Sequence, residues 1–237
     1  MHSTGGGACH AVSLRLQLHW KYMLIITIKQ GKEKSLLAGD PWIYPTAIER
    51  VEGRPQEKGK AGATATVQSS SRKFLARAAY NAHAKQISAR VWTFREDEPV
   101  DHAMMKRRVK AAIAKRAAAV AKLGPEDLMQ LINAEEDGLP GLVVDYYGGA
   151  AGFLLCSFQS GAADAWKVPI VQALLAETGC PNVFQRADED LRKGEGLQVF
   201  TRELDGVPPP PKSVVNKGGV KVYMDLKTGF EFPKRPV

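Results

Sequence analysis

The chain has 237 residues, of which 44% are hydrophobic and 24% charged, a balance typical of a globular protein with one large or two small cores. No stretch approaches the roughly 18 consecutive apolar residues of a membrane helix, so we expect a cytoplasmic protein without a membrane partner. The formal net charge of +8 favours a polyanionic partner, usually nucleic acid. A basic protein with no RNA role stays open as the alternative.

The cysteines and histidines predict neither disulfides nor a metal site. Cys9, Cys156 and Cys180 are far apart and odd in number, which indicates a reducing compartment. They form no CxxC pair, and the five histidines do not cluster with them. Cys156 lies in the apolar run FLLCSF and Cys180 follows a helix, so both are interpreted as core residues rather than nucleophiles.

Residues 1–22 are expected to be a non-native or disordered extension, because they are rich in small residues and Met23 directly precedes a strand-like run. Residues 24–95 contain several short β-rich runs with polar turns, which predict a small barrel or sandwich. Trp42 and Tyr44 stand between prolines in this piece. Core packing is the preferred interpretation for both, and stacking on a base is the alternative.

The run HAMMKRRVKAAIAKRAAAVAKLG, residues 102–124, predicts a helix that begins after an Asp101 cap. Its apolar face holds Met105, Val109, Ile113 and Val120. Basic residues cover much of the remaining surface: Lys106, Arg107, Lys110, Lys115 and Lys122. They are interpreted as a solvated outer face, with a phosphate-binding rim as the alternative.

Residues 100–210 alternate strand candidates with one further helix, which predicts a small α+β unit. Residues 213–237 are expected to form a hairpin followed by the start of another domain. Glu135, Glu136 and Asp137 stand in a Gly-Pro turn and are interpreted as turn residues, so no catalytic residue is predicted. The glycine-rich stretches contain no GxGxxG or GxxxxGK pattern, so no nucleotide-binding loop is predicted.

Four motifs occur in order: KQGKEKSLLAGDPWIYPTAIERVEG, QISARVWTF, AEEDGLPGLVVDYYGG and DEDLRKGEGL. With them, the chain from Met23 to Asp225 resembles the N-terminal part of bacterial large-subunit ribosomal RNA cytosine-C5 methyltransferases that begin with a PUA domain. The resemblance implies an α+β fold class: a PUA-like β-barrel at residues 24–95, a middle domain at 100–210, and no Rossmann-like methyltransferase domain. The chain keeps the Lys227–Phe230 segment and then departs from the family at FPKRPV. We therefore interpret it as truncated or frameshifted.

The resemblance implies the RNA-binding N-terminal portion of an S-adenosylmethionine-dependent 23S rRNA methyltransferase, inactive by itself. The family's nucleophilic cysteine follows the strands of the cofactor domain, so neither Cys156 nor Cys180 matches it. No cofactor is expected in this chain, whereas S-adenosylmethionine is expected for the full-length family. Ribosomal RNA is the expected partner, and a homodimer stays open. The alternative function is a stand-alone RNA-binding adaptor that has lost catalysis.

The expected RNA contacts are the basic residues of the PUA-like piece, because phosphate groups and 2′-hydroxyls dominate the recognition of RNA helices. The candidates are Lys29, Lys32, Lys34, Arg72, Lys73, Arg77 and Arg90.

Overall fold

The structure is a computed structural model that describes residues 24–217 and 219–233. The expectations for residues 1–22 and for residues 234–237 lie outside the described residues. The described chain folds into two units, each built on its own sheet, followed by a β-hairpin. None of its described helices is both long and apolar enough to span a membrane.

The first unit is a six-stranded mixed sheet. In order of pairing, its strands are β2 (Trp42–Ile43), β6 (Ala89–Thr93), β5 (Phe74–Tyr80), β4 (Ala63–Gln68), β1 (Leu24–Ile28) and β3 (Ile48–Glu52). Strands β1 and β4 are parallel, and the other neighbours are antiparallel. Two short helices lie in the connections: α1 (Lys34–Leu37) and α2 (Pro55–Lys58). The pairing ends at β2 and β3, so the described strands form an open sheet instead of the predicted barrel.

Alternation of apolar side chains explains the strands of this sheet. Along β4, Ala63, Ala65 and Val67 are buried while the residues between them are half-exposed, as expected for period-two side chains. The buried residues join a core with Ile26 and Ile28 of β1. The expectation of several short strands in this region is confirmed.

The second unit is a five-stranded mixed sheet with helices. In order of pairing, its strands are β11 (Arg202–Asp205), β10 (Val183–Arg186), β9 (Phe153–Phe158), β8 (Leu142–Tyr147) and β7 (Leu128–Asn133). Its helices are α3 (His102–Lys115), α4 (Ala117–Val120), α5 (Gly161–Ala165), α6 (Lys167–Thr178) and α7 (Glu189–Gly194). Single 3₁₀ turns occur at Pro45–Ala47, Ala134–Asp137 and Gly149–Ala151.

Strands β9 and β10 are parallel, and α5 and α6 connect them. This arrangement is a βαβ unit, the building block of α/β folds. The predicted α+β class is therefore wrong for the second unit. The strand candidates were visible in the sequence, but periodicity does not reveal the direction in which two strands pair.

Helix α3 begins as predicted and ends earlier than predicted. The Asp101 carboxylate accepts a hydrogen bond from the Met104 N–H at 2.8 Å, which confirms the cap. Met105 and Val109 are fully buried on the predicted apolar face. At Arg116 the backbone leaves helical geometry, with φ −109°, and the Arg116 side chain donates to the Asp137 carboxylate. The predicted helix to residue 124 is therefore divided into α3 and α4.

The predicted hairpin is present as β12 (Ser213–Lys217) and β13 (Val220–Met224), paired antiparallel. Its inner residues Val215 and Met224 pack on Leu155 and Phe184, on one face of the second sheet. The opposite face of that sheet packs on α3 and α6 in a larger core. The hairpin thus covers the face of the sheet that the helices leave open.

Candidate nucleic-acid interface

Five of the seven predicted RNA-binding residues stand in two neighbouring connections of the first sheet. Lys29 and Lys32 follow β1, and Arg72 and Lys73 lie in the β4–β5 turn. Strands β1 and β4 run in parallel. Both connections therefore leave the sheet at the same end, from strands about 4.8 Å apart.

Lys34 opens α1 directly after the β1 connection, and all five side chains are exposed. We call this set, Lys29, Lys32, Lys34, Arg72 and Lys73, the basic end. Neighbouring positive charges on a surface attract the phosphate backbone of nucleic acid. The sheet register therefore groups five predicted contacts that the sequence separates by about 40 positions.

The β4–β5 turn holds Arg72 in a specific backbone conformation. The Ser69 hydroxyl accepts a hydrogen bond from the Lys73 N–H at 3.1 Å and lies 2.9 Å from the Ser71 hydroxyl. Arg72 has φ +64°, a left-handed conformation that costs a non-glycine residue roughly 1 kcal/mol. The turn therefore presents Arg72 and Lys73 from an ordered backbone.

Arg77 flanks the basic end and is partly engaged in the fold. It lies on β5 opposite Thr66 and Thr93. Its Nη2 donates to the Glu96 carbonyl at 3.0 Å, and its guanidinium carbon lies 5.9 Å from the centroid of the Phe74 ring. Arg77 is half-buried, so only part of its guanidinium faces solvent.

Arg90 is not brought together with the other six candidates. It lies on β6 opposite Trp42, where the first unit faces the second. Its Nη1 donates to the Glu135 carboxylate at 2.9 Å and its Nη2 to the Glu195 carboxylate at 3.0 Å. Both carboxylates belong to the second unit. The RNA-binding assignment of Arg90 stays a prediction, but its observed contacts join the two units.

The Glu195 carboxylate accepts further hydrogen bonds at the boundary between the two units. Its Oε2 accepts from Asn81 Nδ2 at 3.0 Å and from the Gly161 N–H at 3.1 Å. We call Asn81, Arg90, Glu135 and Glu195 the interdomain clasp. Sequence reasoning treated Glu135 as a turn residue and gave no role to Glu195, although each stands inside one of the four quoted motifs.

Replacement of Arg90 by glutamine is expected to lower the free energy of unfolding by about 2–3 kcal/mol. The change leaves two largely buried carboxylates without their cation, and breaking such a pair costs more than breaking a surface pair. Urea denaturation measures the change. Arg50→Gln is the matched control, because Arg50 pairs with Glu49 and Glu52 on an exposed surface and should cost below about 1 kcal/mol. Unchanged stability together with weakened RNA binding would instead place Arg90 in the RNA-contacting set.

Trp42 and Tyr44 are not core residues. They are 39% and 43% exposed, so the preferred interpretation of core packing is wrong for both. The Trp42 indole N–H donates to the Glu135 carboxylate at 3.1 Å, which orients the ring at the domain boundary. Stacking on a base stays open for these two rings.

Cys156 and Cys180 are buried, and Asp137 of the acidic turn is held in ion pairs. Burial raises the pKa of the Cys156 and Cys180 thiols, which keeps both neutral and confirms the core interpretation. Burial alone would raise the pKa of Asp137, but Arg116, the Asn133 N–H and Lys115 outweigh it and lower the pKa. Asp137 therefore stays ionised as a structural partner. Across residues 24–217 and 219–233, no group of three His, Cys, Asp or Glu is arranged to hold a metal ion.

Residues 26–94 match the family model described as a PUA-like domain. The match covers the sheet that carries the basic end. The predicted PUA-like domain is thereby confirmed.

Curated relatives align with most of this chain, but the aligned part is only about half of each relative. A protein of Vibrio vulnificus strain YJ016 named "Ribosomal RNA large subunit methyltransferase I" is 38% identical over 214 residues, covering 89% of this chain and 51% of the relative. A protein of the same name from Aeromonas salmonicida is 38% identical over 216 residues, covering 90% and 52%. The chain thus spans about half the length of the curated relatives it matches.

Solved structures show the same fold. A Streptococcus mutans protein described as a candidate SAM-dependent methyltransferase superposes with a TM-score of 0.68 at 14% identity, over 88% of this chain and 50% of its own. A second methyltransferase candidate, complexed with SAH, gives a TM-score of 0.68 at 15% identity over the same shares. This likeness overturns the predicted fold class. That prediction placed the methyltransferase fold outside the chain, whereas most of the chain superposes on half of such a protein.

Proposed function

We propose that this chain acts in the methylation of large-subunit ribosomal RNA and that its basic end binds the RNA. The observation that carries the proposal is the parallel register of β1 and β4, which places five exposed cations at one end of the PUA-like sheet. The interdomain clasp lies toward the other end of the same strands, so the second unit does not cover these cations. The names of the curated relatives support ribosomal RNA as the ligand.

Phosphate groups are the chemistry that the basic end fits. All five of its residues lie in connections between strands, where long basic side chains can reach along a nucleic-acid backbone. Each phosphate contact releases counterions, so the affinity should fall steeply as the salt concentration rises. We therefore expect binding of structured RNA with a salt dependence that reports the number of contacts.

In this proposal the described residues contribute RNA binding rather than the nucleophile. Cytosine C5 methylation needs a reactive thiolate, and the thiols of Cys156 and Cys180 are buried and neutral. No step of methyl transfer is therefore assigned to these residues. S-adenosylmethionine as the donor and cytosine C5 as the target are parts of the proposal, supported by the relatives.

Neutralising three lysines of the basic end should weaken RNA binding. For Lys29→Gln/Lys32→Gln/Lys73→Gln we expect about 10- to 100-fold lower affinity for transcribed large-subunit rRNA at moderate salt. The slope of log K against log salt should fall by roughly 2–3, since each contact contributes about 0.7–0.9. Filter binding across a salt series measures both quantities.

The matched control is Lys106→Gln/Lys110→Gln/Lys122→Gln, which removes the same charge from exposed positions on and after α3. We expect this triple variant to bind as the wild type does. Weaker RNA binding by the control alone would support the basic face of α3 as the phosphate-binding surface. Equally weak binding by both variants would indicate attraction by net charge. Negligible affinity of the wild type at low salt would reject the proposal.

The buried cysteines also favour a second candidate function, an RNA-binding adaptor without catalysis. Incubation of the chain with rRNA and radiolabelled S-adenosylmethionine separates the two functions. Labelling of a cytosine would reject the adaptor and would also overturn our assignment of no nucleophile to the described residues. Saturable binding of S-adenosylmethionine without labelling would support a role in methylation that requires a further component.

A further inference from the structure

The β12–β13 hairpin has a third neighbour along its edge. The Phe232 N–H donates to the Tyr223 carbonyl at 2.9 Å, and Met224 forms an antiparallel bridge with Glu231. The segment around Glu231 therefore extends the hairpin into a small three-stranded element. Its inner face is packed on the second sheet through Val215 and Met224.

The outer face of this element carries aromatic rings. Tyr223 and Phe230 are 53% and 57% exposed. Phe230 and Phe232 share one face because their side chains are two positions apart in an extended segment. Their rings meet edge to face, with centroids 5.4 Å apart. Exposed aromatic rings on adjacent strands are costly to leave in water, and they indicate a ligand.

A lysine ammonium group lies beside these rings. The Lys212 Nζ lies 4.2 Å from the centroid of the Tyr223 ring and 5.6 Å from that of the Phe232 ring. The centre of a protein–protein contact is typically depleted of lysine. Aromatic rings with a lysine beside them are instead typical of surfaces that bind single-stranded nucleic acid.

We propose that Lys212, Tyr223, Phe230 and Phe232, the aromatic face, bind an unpaired segment of RNA. The exposed rings of Tyr223 and Phe230 would each stack on an unpaired base, and Lys212 would contact a phosphate. Bases inside an RNA duplex are already stacked on their neighbours, so this face selects single strands. The inference rests on the proposed function in that its ligand is RNA, but the site is distinct from the basic end.

The test uses two fluorescein-labelled RNAs, a 12-nucleotide oligouridylate and a duplex RNA of similar charge, with fluorescence anisotropy as the readout. For Tyr223→Ala/Phe230→Ala we expect the affinity for oligouridylate to fall by about 25-fold or more, since stacking on each ring contributes roughly 5- to 100-fold. The affinity for the duplex should stay unchanged. Tyr223→Phe keeps the ring and should bind both RNAs as the wild type does.

Val168→Ala/Val207→Ala is the matched control, because both valines are exposed apolar residues outside the aromatic face. Thermal unfolding of every variant verifies that the fold is intact. Wild-type affinity of the double aromatic variant for oligouridylate would overturn the inference. Equal losses of affinity for both RNAs would also overturn it. The same holds if sedimentation shows that the wild type is a dimer and that the aromatic variant is a monomer with unchanged RNA binding.

Failure of the inference is distinguishable from failure of the proposed function. Should the wild type bind neither RNA, the proposed function itself is wrong. Should Lys29→Gln/Lys32→Gln/Lys73→Gln lose duplex affinity while the aromatic variant binds oligouridylate normally, the function stands and only the aromatic face is rejected.

Discussion

Replacement of Gly62 by alanine is expected to separate the two units of the protein. A Cβ atom at residue 62 would lie 2.0 Å from the Gly161 carbonyl oxygen and 2.8 Å from the Ala165 Cβ. Neither atom belongs to a flexible side chain that could move aside. Gly62 also has φ +80°, which is itself strained for alanine. We expect the free energy of unfolding to fall by roughly 3–5 kcal/mol, the range of the most disruptive single substitutions.

Gly31→Ala isolates the contribution of the backbone conformation. Gly31 has a nearly identical φ of +82°, but a Cβ there would meet no atom within 4 Å. This control should cost only about 1–2 kcal/mol. Urea denaturation of both variants gives the comparison, and equal losses would show that the close contact with Gly161 contributes nothing.

Replacement of Arg192 by methionine is expected to cost about 3–5 kcal/mol of stability. Arg192 is 1% exposed, and its Nε donates to the Gln198 carbonyl at 2.7 Å. Its Nη1 donates to the Phe158 carbonyl, and both Nη atoms bind the Asp164 carboxylate at 3.1 Å. Methionine fills a similar volume but removes the donor to the buried Phe158 carbonyl and to the partly buried Gln198 carbonyl, and it removes the cation beside Asp164. The loss should appear as a lower urea midpoint with an unchanged slope.

Lys193→Met provides the control for Arg192. Lys193 is the next residue of α7, but it is exposed and its ion pair is with the exposed Glu189. We expect its replacement to leave the midpoint of unfolding unchanged, because surface ion pairs contribute little. A similar loss in both variants would mean that α7 itself, rather than the buried guanidinium, was disturbed.

Local signals in the sequence were sufficient for local features of the fold. The Asp101 cap depends on residues three positions apart, and the hairpin across Asn216 to Gly219 depends on its own turn. The ion pair that Arg116 makes where the long helix breaks was not predictable, because Asp137 lies 21 positions further along the chain. The parallel direction of β9 and β10 depends likewise on packing that periodicity does not encode.

The same difference between local and long-range signals applies to the candidate site. Composition identified the cations, but it could not separate those of the basic end from Arg90, whose partners Glu135 and Glu195 lie 45 and 105 positions away. The aromatic face was missed because Tyr223 and Phe230 come together only through the pairing of residue 232 with β13. Charge was thus readable from the sequence, whereas the internal ion pairs of Arg90 could be recognised only from the fold.

The contact between Gly62 and Gly161 has a mechanical consequence. The backbones of the two units lie so close there that a Cβ at residue 62 would overlap the Gly161 carbonyl oxygen, which leaves little room for one unit to shift against the other at this point. In the two proposals above, the basic end and the aromatic face bind one RNA, and this close contact limits how far the span between them can vary. A transcript that offers a helix and a loop at that span would gain avidity from engaging both, whereas one with another spacing would gain none.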